Sequence, residues 1–287
     1  VWTTCGFARQ GGLQVAAVVA HAQSRAPAVE RVSIGEGGGV PVVIDASAVT
    51  VRRGRRLVLS DVSLAVEAGQ VVHLAGANGS GKTSLLRVLA GLSAPRVGTV
   101  RRPARCAFVG EKVTLAGTVR AGEWLTVMRG LRGLPAADWR AAVRDAGLEP
   151  SVLSLPAARH SKGMLQRLTL IEATEPGCDA LLLDEPFVGL DAAGHEWLVR
   201  RLLSRLAAGA AVLLTDHSGA AIQRLPVAAV LRLDGGRCTL DAGATAPAPL
   251  LHTTLPDGQT LTRAIADPSR AHHILLAEGW QIDDGPA

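Results

Sequence analysis

One octapeptide constrains this chain more than any other feature. Gly76-Ala77-Asn78-Gly79-Ser80-Gly81-Lys82-Thr83 follows the spacing G-x-x-x-x-G-K-[ST]. The apolar run Gln70–Ala75 before it reads as a buried strand, and Ser84–Ala90 after it reads as a helix. Strand, glycine-rich loop and helix in that order form a phosphate cradle. The glycines let the backbone curl until successive N–H groups point at one anion. The helix N-terminus adds the positive end of its dipole. Lys82 is then placed to reach β- and γ-phosphates, and the Thr83 hydroxyl to ligate Mg²⁺. Gly76 through Thr83, with Ser84 opening the helix, are the expected nucleotide-binding residues.

A second motif lies about a hundred residues on. Ala180-Leu181-Leu182-Leu183 is a short apolar strand that runs into Asp184-Glu185. Two acids at the end of a buried strand are costly unless paired or metal-bound. Asp184 is expected to hold Mg²⁺, and Glu185 to polarise an attacking water. Further runs alternate in type: a mostly helical stretch 118–174, a helix over 192–207, a strand at Ala211–Thr215 and a strand pair around 227–240. Upstream, Val42–Ile44, Val49–Val51 and Leu57–Ser60 read as an antiparallel group. The expected fold class is α/β: a P-loop NTPase with a mostly parallel sheet, an antiparallel β subdomain and an inserted helical subdomain.

Composition excludes other classes. Of 287 residues 48% are hydrophobic, enough for a sizeable core, and 19% are charged. No apolar run reaches 18 residues, so no transmembrane helix is expected. Tyr is absent and Phe numbers 3, which argues against a stacking platform for single-stranded nucleic acid. Net charge is +5, with the basic residues dispersed rather than clustered. The lysines are Lys82, Lys112 and Lys162 alone, which draws attention to the first and last. Cys5, Cys106, Cys178 and Cys238 fit no zinc or disulfide spacing and suit a reducing compartment.

With both phosphate motifs in place, the chain resembles the ATP-binding subunit of an ABC transporter. His160-Ser161-Lys162-Gly163-Met164-Leu165-Gln166-Arg167 resembles that family's signature, with His160 standing for Leu, Lys162 for Gly and Met164 for Gln. Ser161 also suits a helix N-cap. Gly189-Leu190-Asp191 resembles the D-loop, and Asp216-His217 the switch histidine. The resemblance implies a dimer with a second copy or a homologous cassette. There, Ser161, Lys162, Gly163 and Met164 of one subunit touch ATP held by the other. It implies catalytic roles for Glu185, His217 and Lys82, and ATP and Mg²⁺ as cofactors. It also implies a separate integral membrane permease served from the cytoplasmic face, with no nucleic-acid partner. The Ser-Lys-Gly-Met variant points to export. The rival reading is a soluble cassette ATPase acting on nucleic acid or ribosomes.

Two positions depart from the family pattern. Its adenine-stacking aromatic corresponds to Arg53, whose planar guanidinium also stacks on bases. Its Q-loop glutamine corresponds to Glu111, still able to ligate Mg²⁺ or a water. The cassette is expected to span 41–240, with its helical lobe near 115–178. Residues 1–40 are expected to be a disordered extension, or to precede a true start near Val40. The stretch 243–249 reads as a linker, and Thr260–Ala264 with His272–Gly279 as a helix-plus-strand extension within 241–287.

Overall fold

The computed structural model describes residues 32–33, 41–111, 117–216, 219, 222–240, 250–254 and 260–264. A short strand β1 (Val32–Ser33) runs parallel to the end of a long hairpin, β2 (Val42–Arg53) and β3 (Arg56–Glu67). The expected fragments at 42–44, 49–51 and 57–60 are thus parts of two twelve-residue strands. Hydroxyls explain their fusion. Ala48 and Asp61 adopt φ of 54°, which breaks the ladder at bulges. The backbone N–H groups there donate to side chains instead, Ala48 to Ser63 Oγ at 2.8 Å and Asp61 to Thr50 Oγ1 at 3.1 Å. The strands therefore continue past residues that break the apolar alternation.

β4 (Val71–Ala75) leads through the glycine-rich loop into α1 (Lys82–Leu89). β5 (Val97–Arg101) adds to the free edge of β2, and β6 (Cys106–Val109) to the edge of the main sheet. Both strands lie where the sequence suggested none. β5 is a mostly exposed edge strand without a strong apolar pattern, whereas β6 is an apolar four-residue run of the same kind as β7 and β8.

The helical lobe holds α2 (Ala121–Leu131), α3 (Trp139–Asp145), two 3₁₀ turns and α4 (Lys162–Thr174). Trp124 and Trp139 are partly buried against the core, and Trp139 Nε1 donates to Thr126 Oγ1 of α2 at 3.0 Å. The chain returns through β7 (Ala180–Leu183), α5 (Ala192–Ala207), β8 (Ala211–Leu214), β9 (Val227–Asp234) and β10 (Arg237–Leu240). A separate antiparallel pair, β11 (Leu250–Thr254) and β12 (Thr260–Ala264), makes Thr260–Ala264 of the expected extension a strand, and its segment 272–279 lies outside the described residues.

The main sheet has the order β10-β9-β4-β8-β7-β6, parallel throughout except for β10. Its alternation divides two cores. Val72, Leu74, Leu182 and Leu213 face α1 and the antiparallel sheet, so α1 lies between the two sheets. Val71, Leu181, Leu183, Val212 and Leu214 face α4 and α5. Strands covered on both faces explain their unbroken apolar runs. The carboxyl ends of β4, β8 and β7 are left side by side, and the polar residues follow there.

Candidate functional site

Gly76 leaves β4 with φ of 149°, and a Cβ there would lie 2.4 Å from the Leu233 carbonyl oxygen of β9. Only glycine fits so close an approach. Gly81, φ 114°, starts α1 without a side-chain cap, which leaves the first-turn N–H groups turned toward the loop. Lys82 is buried, and its Nζ donates to the carbonyls of Gly76 at 2.6 Å and Ala77 at 3.2 Å. The loop thus solvates the ammonium that burial strips of water.

Thr83 Oγ1 donates to Asp184 Oδ2 at 2.6 Å. Thr215, fully buried at the end of β8, donates to Asp184 Oδ1 at 3.0 Å and accepts from the Glu185 N–H at 2.8 Å. The buried Asp184 carboxylate therefore has a hydroxyl at each oxygen. Glu185 has φ of 53°, a left-handed conformation that costs a non-glycine residue on the order of 1–3 kcal/mol. The bond to Thr215 helps to hold it there.

Lys82, Thr83, Asp184 and Glu185 line a cleft of about 580 Å³. Of the residues expected from sequence, it gathers Arg53, Asn78, Gly79, Gly81, Lys82, Thr83, Ser84, Glu111, Asp184 and Glu185. Gly76, Ala77 and Ser80 belong to the same loop without lining the cleft. Among the described residues no three His, Cys, Asp or Glu side chains gather as a metal centre. A hydroxyl and a carboxylate converging on one point suit Mg²⁺, which takes few protein ligands and completes its shell with water and phosphate.

The signature residues stand apart from this cleft. Ser161 caps α4, accepting from the Met164 N–H at 3.2 Å, and Ser161 and Lys162 are exposed. A Cβ on Gly163 would lie 3.1 Å from the Gly189 carbonyl oxygen, so the start of α4 abuts the D-loop. Asp191 caps α5 through the Gly194 N–H at 2.7 Å and pairs with Arg167 at 2.8 Å. The Gly194 N–H first, then the Arg167 guanidinium, hold its carboxyl below the usual range. His160 is buried with its ring nitrogens each 3.0 Å from a carbonyl, those of Pro156 and Val152. It fills the signature's apolar position as a polar pin between turns. His217 lies outside the described residues.

Sequence reasoning missed three residues. Thr215 ends an apolar strand just as Asp184 does, which was the available signal. Arg56 lines the cleft opposite Arg53. His73, on β4, hydrogen-bonds the backbone of Asp216, and burial lowers its pKa below the usual value.

Comparison with known proteins places this geometry. The family model described as ABC transporter matches residues 59–188. The chain is 35% identical over 189 residues to the cytochrome c biogenesis ATP-binding export protein CcmA of Novosphingobium aromaticivorans, covering 64% of this chain and 94% of that protein. It is 40% identical over 182 residues to the zinc import ATP-binding protein ZnuC of Cereibacter sphaeroides, covering 61% and 72%. A solved ATP-binding subunit of an ABC transporter superposes with a TM-score of 0.64 at 27% identity, covering 69% of this chain and 89% of that one. A dimeric bacterial ABC transporter cassette shares the fold, with a TM-score of 0.61 at 20% identity over 68% and 96%. The chain belongs to the family of ABC transporter ATP-binding proteins.

Proposed function

We propose that this protein binds ATP in the cleft above β4, β8 and β7, hydrolyses it as a two-cassette dimer, and thereby drives export through a separate membrane permease. The observation that carries the reading is the convergence of Thr83, Asp184 and Glu185 beside the glycine-rich loop. Backbone N–H groups of residues 79–83 surround the phosphates, and Lys82 leaves its loop carbonyls for the β- and γ-phosphate oxygens. Thr83 and Asp184, with Glu111 at the cleft edge, would hold Mg²⁺, which neutralises charge developing on the transferred phosphoryl group. Glu185 orients a water and draws off its proton as the water attacks the γ-phosphorus. The bond to the β–γ bridging oxygen breaks, and ADP leaves. His217 is assigned to the γ-phosphate.

The exposed Ser161 and Lys162 at the start of α4 support the dimer, in which Ser161, Lys162, Gly163 and Met164 would complete a partner's site. No helix among the described residues is long and apolar enough to cross a membrane, so the transport path is assigned to another chain at the cytoplasmic face. Export is favoured by the Ser161-Lys162-Gly163-Met164 form of the signature and by the export-named relative, while an import-named relative is also similar.

The test is capture from solubilised membranes with tagged Glu185→Gln protein, ATP and Mg²⁺. Co-purification of a polytopic membrane protein is expected, and its substrate flux gives the direction. Recovery of ribosomes or nucleic acid without a membrane protein overturns the transport reading.

A further inference from the structure

We propose that Arg53 and Arg56 read the O6 and N7 edge of a purine base, so that the cleft accepts GTP at least as readily as ATP. This inference rests on the cleft being a nucleotide site.

The hairpin tip reads Arg52-Arg53-Gly54-Arg55-Arg56. Gly54, φ 58°, makes the two-residue turn that sets Arg53 directly across from Arg56. Like charges at such positions repel. Among the described residues neither guanidinium has a hydrogen-bond or ion-pair partner, and both line the cleft. Both are exposed at the hairpin tip, and their donors are open to a ligand in the cleft.

The position of the pair says which part of the ligand it meets. Arg56 and Val58 alternate onto one face of β3, and both line the cleft. The Val58 carbonyl oxygen lies 3.1 Å from where a Gly81 Cβ would stand, so β3 runs directly beside the phosphate loop. Two residues along the strand, about 7 Å away, stand Arg56 and its cross-strand partner Arg53. A nucleotide with its phosphates on the loop extends its base toward them.

Among the described residues no aromatic side chain lines the cleft, so none of them gives the base a ring to stack on. The planar groups at that end are the two guanidinia, which carry hydrogen-bond donors and no acceptor. The corresponding edge of guanine offers two acceptors, O6 and N7. Adenine offers N7 beside a donor, its N6 amino group. Paired guanidinia match the guanine edge and set donor against donor at adenine.

The experiment is isothermal titration calorimetry on the full chain with Mg²⁺ and ATP, GTP, ITP or 7-deaza-GTP. GTP and ITP, which keep O6 and N7, are expected to bind at least as tightly as ATP. 7-Deaza-GTP is expected to bind roughly tenfold more weakly than GTP. Arg53→Ala with Arg56→Ala is expected to lower the GTP-to-ATP affinity ratio. The base analogues are compared on the unaltered protein, so the test survives a variant that folds poorly. ATP binding tenfold tighter than both GTP and ITP overturns the proposal and leaves the nucleotide site standing. Equal binding of GTP and 7-deaza-GTP overturns the edge reading in favour of stacking. Binding of no triphosphate, with Lys82→Ala identical to the unaltered protein, removes the nucleotide site itself.

Discussion

Thr83 Oγ1 donates to Asp184 Oδ2 at 2.6 Å, although the two residues lie 101 positions apart. They follow β4 and β7, which are not neighbours: β8 runs between them. Leu183 is level with Leu214 of β8, and Leu214 with His73 of β4. The next residues, Asp184 and Thr215, therefore emerge together from the sheet. The phosphate loop brings Thr83 back over the same point.

Thr215 ties this point together from below. Thr215→Val leaves Asp184 Oδ1 and the Glu185 N–H short of a buried partner. A loss of about 1–3 kcal/mol in unfolding free energy is expected, measured by urea denaturation. Thr215→Ser, which keeps the hydroxyl, is expected to restore most of it. ATP turnover should fall more than ATP affinity, because the displaced groups are those assigned to water and metal.

Glu185→Gln keeps the backbone bond to Thr215 and the side-chain shape while removing the base. Turnover is expected to drop by about 10²–10⁴-fold with ATP binding retained, read by phosphate release and by nucleotide titration. Size-exclusion chromatography with ATP and Mg²⁺ should then show an accumulated dimer. Undiminished turnover in this variant refutes Glu185 as the base.

The loop glycines differ in what they tolerate. At Gly76 an added Cβ meets the Leu233 carbonyl oxygen at 2.4 Å, a backbone atom that cannot swing aside. Gly76→Ala is expected to abolish nucleotide binding and lower the melting temperature. At Gly79 nothing lies within 4 Å, and φ of 78° is the sole obstacle. Gly79→Ala is expected to cost about 1–2 kcal/mol and to weaken binding without abolishing it. Calorimetry of both variants separates the two cases.

His73 gives stability a pH dependence of known sign. Its pKa is lowered in the folded protein, first by burial, with the Asp216 backbone opposing. The unfolded chain therefore binds a proton more readily near the ordinary value of 6.5. The stability that His73 contributes is complete above that value and is lost as pH falls toward the lowered folded value. His73→Gln is expected to flatten this part of the profile, measured by denaturant midpoints across the range.

The sequence alone determined the phosphate loop, because its chemistry is local: strand, loop and helix are contiguous, and glycines with one lysine specify the cradle. It determined α5 as well. The expected span 192–207 matches the helix, since Asp191 supplies the cap and a 3.6-residue apolar stripe supplies the face. Asp184 and Glu185 were legible as two acids closing an apolar strand. Tertiary structure decided the rest. That Thr215 stands between Asp184 and Glu185 follows from β8 being inserted between β4 and β7, and no spacing along the chain encodes that order. Arg56 joins Arg53 on the cleft because a two-residue turn pairs them and β3 runs beside the loop. β2 and β3 are continuous because hydroxyls from the facing strand satisfy the N–H groups at their bulges. For Thr215 and for the bulges, contacts between residues distant in sequence supply the free energy, and for Arg56 the run of β3 beside the loop sets its place; a local pattern holds no record of either.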